Sequence, residues 1–252
     1  MLNLIEFGTP TTLPALVIAH GLFGSARNWG SIAKRLSDER QVIAVDLRNH
    51  GKSPWSESHT YEDMAEDLCE VISARWKQVD LVGHSMGGKA VMMFALLHSH
   101  FVRKMIVADI SPVNYNHNQI EYIQAMRAVD LSRVNTRSDA ARQLAKSGIE
   151  TPLQHFFCQS LNVADKIWHF NLDALEQNMQ SIMSFPPTCA THSGSVLFLS
   201  GSESNYIRPE HRTEIKRLFP YAQFAKLPCT GHWIHADNPQ GTEVNIRAFF
   251  AV

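Results

Sequence analysis

The chain has 252 residues, 44% of them hydrophobic, and carries 23 Lys and Arg against 24 Asp and Glu. The length suits one α/β domain and leaves room for a second small one. The near-balance of charge excludes the basic surplus of a nucleic-acid binder and the unbalanced charge of a disordered chain. Taken from the amino end, Met1 to Phe7 lack the basic region and long apolar core of a signal peptide. No apolar run reaches the ~18 residues of a transmembrane helix. Cysteines 69, 158, 189 and 229 are scattered, with no C-x-x-C and no H-E-x-x-H, so neither a disulfide scaffold nor a structural zinc site is expected. The expectation is a reduced, cytoplasmic, soluble protein without stable membrane insertion.

Short β-rich apolar runs come first: Ala15 to Ala19, Gln41 to Val45, Val79 to Val82 and Arg103 to Ala108. They barely alternate, as strands covered on both faces do. Helical patterns separate them, at Ser31 to Leu36, Tyr61 to Trp76 and Lys89 to His98. In the second, Met64, Leu68, Val71 and Ile72 share a face, and Thr60 with Asp63 sits at its start in the manner of a capping box. Strand alternating with helix predicts a mostly parallel central sheet flanked by helices.

After Asp109 the rhythm changes. From about Val113 to Ser193 no strand-like run is visible, only helical pieces at Ile120 to Val129, Asp139 to Ser147, Leu153 to Leu161 and Leu172 to Met183. The strand rhythm returns at Val196 to Leu199 and Gln223 to Leu227, with helices at Pro209 to Phe219 and Pro239 to Phe249. The expected division is a core of residues 1–112 and 194–252 interrupted by a helical cap at 113–193.

The stretch that carries chemistry is Gly83-His84-Ser85-Met86-Gly87, a G-x-S-x-G between a predicted strand and a predicted helix. A serine held on such a turn needs a strained backbone, and glycines two residues either side remove the collisions. Continuing to Gly88-Lys89, the segment also reads G-x-x-x-x-G-K, but Ala90 stands where a phosphate-binding loop needs Ser or Thr for magnesium. A packing turn with an accidental serine is the plain alternative. Just after an earlier strand, His20-Gly21-Leu22 lets the chain turn sharply, so the N–H groups of Leu22 and Met86 are the candidate oxyanion donors. The candidate base is His232 in Thr230-Gly231-His232-Trp233-Ile234-His235, with His235 as the alternative in the same loop. Two acids compete to orient it. Asp109 ends the strand beside the serine's, and neighbouring parallel strands end only ~5 Å apart. Glu203 lies in the loop after Leu199, where hydrolases of this type often carry Asp three residues after the glycine; this chain has Ser204 there.

Together these residues resemble the α/β-hydrolase superfamily nearly end to end, and the order Ser85, Asp109, His232 is that superfamily's nucleophile–acid–base order. Asp46-Leu47-Arg48-Asn49-His50-Gly51-Lys52-Ser53-Pro54, Gly83 to Lys89 and Ala108-Asp109-Ile110-Ser111-Pro112 are similar to small bacterial YbfF-type esterases. The resemblance implies an α/β-hydrolase fold, the acid at Asp109 and a pocket shaped by Trp233. Phe23, beside Leu22, is the second candidate pocket residue. Asp46 to Pro54 reads mainly as structure, a polar turn with Gly51 at an unusual backbone angle.

The expected reaction is two-step acyl transfer from an ester to water through an acyl-serine, with no metal or organic cofactor and a small-molecule ester or thioester as partner. The resemblance extends this to acyl-CoA. The rivals are a C–C bond hydrolase or cofactor-free perhydrolase on the same triad, or a low-turnover ligand-binding protein. In the cap, Phe156, Phe157, Ile167, Trp168, Phe170, Met179, Ile182, Met183 and Phe185 are candidates for helix packing or for lining the entrance. Arg48, Lys89 and Arg127 are either solvated charges or contacts for a phosphate-bearing leaving group.

Overall fold

The computed structural model describes residues 1–251. In chain order the strands are β1 (Asn3–Phe7), β2 (Leu16–Ala19), β3 (Val42–Asp46), β4 (Val79–His84), β5 (Val102–Ala108), β6 (Leu161–Asn162), β7 (Ile167–Trp168), β8 (Ser195–Gly201) and β9 (Gln223–Leu227). The helices are α1 (Gly30–Leu36), α2 (Tyr61–Ser73), α3 (Met86–Leu97), α4 (Ile120–Arg127), α5 (Arg137–Lys146), α6 (Thr151–Cys158), α7 (Leu172–Gln177), α8 (Met179–Met183), α9 (Arg212–Leu218), α10 (Ile234–Asp237) and α11 (Pro239–Phe250).

Seven strands make one sheet in the order β1-β3-β2-β4-β5-β8-β9. Every pairing is parallel except β1 with β3. β2, β3 and β4 are buried along their whole length, because helices cover both faces. Two apolar layers result. One joins α2 and α3 to the sheet, and the other joins α1 and α11 to the opposite face. At the N-cap of α2, Thr60 Oγ1 accepts from the Asp63 N–H at 3.2 Å and donates to Asp63 Oδ2 at 2.7 Å, which is half of the expected capping box.

Three features differ from the sequence reading. Asn3–Phe7 is an edge strand, antiparallel to β3 and mostly half-buried, so it lacks the continuous apolar run of a doubly covered strand. The 113–193 segment does contain strand, a two-residue ribbon pairing Leu161 with Trp168 and Asn162 with Ile167. Leu172 to Met183 is two helices rather than one, broken at Asn178, whose side chain turns back to donate to the Ala174 carbonyl at 2.8 Å.

Asp46 to Pro54 forms the polar turn expected of it. Asp46 accepts from the Ala26 N–H at 2.7 Å, the Lys52 N–H at 3.0 Å and Asn3 Nδ2 at 2.7 Å, and Gly51 has φ +59°. At the opposite end of the sheet, buried Asp80 accepts from Arg103 at 2.6 and 2.9 Å and also pairs with Arg40.

The site follows from register. His84 at the end of β4 is opposite Ala108 at the end of β5, and Ala108 is opposite Leu199 on β8. The carboxyl ends of these parallel strands therefore open onto one edge, which is where α/β sheets place their ligands.

Candidate active site

Ser85 occupies the single residue between β4 and α3, with φ 53° and ψ −120°. A positive φ at a non-glycine residue costs on the order of 1–3 kcal/mol and persists only where its surroundings hold it. The surroundings here are specific. A β-carbon on Gly83 would lie 2.3 Å from the Gly87 carbonyl oxygen, and one on Gly87 would lie 2.4 Å from the His20 carbonyl oxygen. Only glycine at both positions lets strand, turn and helix approach this closely, while the Ser85 N–H donates to the Ala108 carbonyl at 3.0 Å. Phe23 (φ 58°) and Asp109 (φ 51°) share the left-handed conformation, so three such residues stand around one site.

Ser85 Oγ lies 3.1 Å from His232 Nε2, and His232 Nδ1 lies 2.7 Å from Asp109 Oδ2. Asp109 is fully buried, while His232 is half-buried, with 18% of its side chain exposed. The carboxylate is itself held: Oδ1 accepts from the Gly201 N–H at 3.1 Å, and Oδ2 accepts from the Ser204 hydroxyl. Glu203, the competing acid, is exposed. His235 stacks on Trp29 with centroids 4.7 Å apart and makes no hydrogen bond to Ser85, and burial pushes its pKa down to about 4.

The two candidate oxyanion donors lie beside the serine. Met86 opens α3, where its N–H has no intrahelical acceptor. Among the described residues the Leu22 N–H has no protein acceptor either. A β-carbon on Gly21 would sit 3.1 Å from Ser85 Cβ, which places the Leu22 turn against the serine.

A cavity of about 200 Å³ leads to Ser85. Phe23 and Trp233 both line it, as do Phe156, Phe157, Ile182 and Met183 from the 113–193 segment. Trp168, Phe170, Met179 and Phe185 are instead buried packing residues, and Ile167 is exposed. Arg48, Lys89 and Arg127 do not await a phosphate. Arg48 is paired with Asp67 at 2.6 and 2.8 Å, and Arg127 with Asp173 and Glu176. Lys89 is buried and gives its three donors to the carbonyls of Val113 (3.0 Å), Met183 (3.0 Å) and Ser184 (2.6 Å), although burial lowers its pKa to about 7. Its neighbours Tyr61 and Tyr115 spend their hydroxyls on the carbonyls of Ile182 (2.6 Å) and Tyr206 (2.7 Å), so the inner wall is effectively apolar.

Sequence reasoning missed three residues. Tyr206 stacks on the His232 ring at 4.0 Å, Ser204 holds Asp109, and His84 Nε2 donates to the His232 carbonyl oxygen at 2.9 Å. His84 had a local signal, standing between Gly83 and Ser85, and so did Ser204, three residues after Gly201 where an acid is expected. As for metals, Glu66, Cys69 and His98 place ligand atoms within 4.8 Å of one another, but His98 caps the opposite end of α3 from Ser85.

A strained serine after a parallel strand, facing histidine and a buried carboxylate at the open edge of the sheet, defines a hydrolase of the α/β type. The chain belongs to the alpha/beta hydrolase fold family, whose profile matches residues 14–239. It is 40% identical to an sn-1-specific diacylglycerol lipase of Mus musculus over 95% of this chain and 82% of that protein. It is 34% identical to Esterase YbfF of Escherichia coli (strain K12), over 93% of this chain and 92% of that one. Among solved structures, a marine microorganism esterase superimposes with a TM-score of 0.92 at 36% identity, covering 98% of both chains. No helix among the described residues is long and apolar enough to cross a membrane.

Proposed function

We propose that this protein hydrolyses carboxylic esters through an acyl-enzyme formed on Ser85. The observation that carries the reading is the continuous hydrogen-bonded chain from Ser85 Oγ through both nitrogens of His232 to Asp109. His232 takes the hydroxyl proton as Ser85 attacks the acyl carbonyl, and the N–H groups of Leu22 and Met86 receive the oxyanion. The imidazolium then protonates the departing alcohol. Water, deprotonated by the same ring, releases the acid. Asp109 fixes the His232 tautomer and supports its charge.

Residues 113–193 act as the cap over this chemistry, with Phe156, Phe157, Ile182 and Met183 meeting the acyl chain. The apolar inner wall, with Lys89 and both tyrosines already engaged, favours an uncharged acyl group and leaves a polar leaving group at the mouth. The same steps cleave thioesters, acyl-CoA included. Rates on oxygen esters and CoA thioesters of rising chain length rank the two.

The direct test is hydrolysis of p-nitrophenyl butyrate. Ser85→Ala, with an unchanged circular dichroism spectrum, loses turnover by about six orders of magnitude in the manner of other serine hydrolases. Undiminished turnover in that variant contradicts the reading.

A further inference from the structure

Three buried histidines flank the oxyanion turn, His20 at the wall of the Ser85 cavity, and none is hydrogen-bonded to Ser85 or His232. His20, His50 and His59 are each 1% exposed or less, with ring centroids 5.1 Å apart for the first two and 5.6 Å for the last two. Their hydrogen bonds define which nitrogen carries the proton. His20 Nδ1 donates to the Gly21 carbonyl at 2.8 Å, so its Nε2 accepts, and the Leu47 N–H lies 3.1 Å from it. His50 Nδ1 donates to the Arg48 carbonyl at 2.9 Å, so its Nε2 accepts from the Phe23 N–H at 3.2 Å. His59 is reversed. Its Nδ1 accepts from Asn49 Nδ2 at 3.2 Å, and its Nε2 donates to Met86 Sδ at 3.3 Å.

The pattern is reciprocal. An imidazole from the 20–24 turn receives an N–H from the 46–54 turn, and an imidazole from the 46–54 turn returns the favour at Phe23. The third reaches across to Met86. The two residues whose N–H groups form the oxyanion site are thus braced from behind, Leu22 through its neighbour Phe23 and Met86 through its own side chain. Phe23 needs such bracing because it is held at φ 58°. Burial disfavours the charged form of all three rings, lowering the His59 pKa to about 3, which keeps each ring both donor and acceptor. A charged ring would turn an acceptor nitrogen into a second donor and break the contact.

We infer that His50, with His20 and His59, is a positioning residue that sets the geometry of the oxyanion site. This rests on the ester-hydrolase reading and adds to it a use for the Asp46 to Pro54 turn, which that reading leaves as scaffold. Catalytic geometry is unforgiving, since a displacement of ~1 Å can cost ~100-fold in rate.

The experiment compares wild type, His50→Phe and His50→Gln on p-nitrophenyl butyrate, together with inhibition by an alkyl trifluoromethyl ketone, whose adduct carries an oxyanion. In His50→Phe the Phe23 N–H loses its acceptor. The expected kcat is down about 10- to 100-fold with KM within threefold, and the ketone binds more weakly by the same factor. His50→Gln, which offers an amide oxygen, recovers most of both. A folded His50→Phe with kcat within twofold of wild type overturns the inference, as does a fall in kcat without weaker ketone binding. Wild-type protein gives a reading that needs no variant: long-range 1H–15N NMR is expected to show protonated Nδ1 at His20 and His50 and protonated Nε2 at His59. The opposite tautomer at His50 overturns the positioning role. A wild type that hydrolyses no ester defeats the underlying reading instead, so the two failures are distinguishable.

Discussion

Ser204 stands in the loop position where related hydrolases often carry the acid, and its hydroxyl donates to Asp109 on the neighbouring strand. The carboxylate stands one strand along from that loop, and the Ser204 hydroxyl helps to hold it there. Asp109→Asn is expected to lower kcat on p-nitrophenyl butyrate by about 10⁴-fold, because the His232 tautomer is then wrong. Glu203→Gln, at an exposed residue, is expected to stay within twofold. Ser204→Ala removes a hydrogen bond to a buried charged group, worth about 1.5–3 kcal/mol, so a stability loss of that size is expected in urea unfolding. Ser85 was legible in the sequence because its glycines act within two residues of it. The choice between Asp109 and Glu203 was not decided by the residues themselves, since it depends on strand order, and the stack of Tyr206 on His232 depends on where a distant loop folds back.

At the scale of elements, α3 is tied to both ends of the 113–193 segment by one side chain. Lys89 reaches Val113 at one end of that segment and Met183 and Ser184 near the other. Lys89→Met leaves three carbonyls without their donor, and an abandoned buried acceptor costs about 1–3 kcal/mol. Faster limited proteolysis within 113–193 is expected before the core is cut, and an unchanged cleavage pattern would contradict the tie. The sheet has its own pin in Asp80, between Arg40 and Arg103. Asp80→Ala strands two guanidinium groups, and a loss of about 3–5 kcal/mol is expected in urea unfolding. Most elements were readable because doubly covered strands are continuously apolar and helices alternate with them. What escaped were β1, whose half-buried edge position dilutes its pattern, and the break at Asn178, which a side-chain bond to the preceding turn creates.

Across the whole molecule, eight histidines have pKa values pulled below the ordinary 6.5, chiefly by burial: His20, His50, His59, His84, His117, His192, His211 and His235. The unfolded chain protonates these groups near pH 6.5 and the folded chain does not, so stability is lost as pH falls through that value. The loss continues toward the folded pKa, about 4 for His235 and about 3 for His59. Each fully buried group contributes up to about 1.4 kcal/mol per pH unit. The urea midpoint is therefore expected to drop steeply between pH 7 and pH 5.5, before carboxylates titrate, and a flat midpoint over that interval would contradict the neutral buried rings.

The account as a whole rests on Ser85 being the group that attacks. Peptide mapping after reaction with a fluorophosphonate probe tests this most directly. A single adduct on the peptide containing Ser85, formed far more slowly in His232→Ala, is the predicted result. No adduct, or one on another residue, would contradict it.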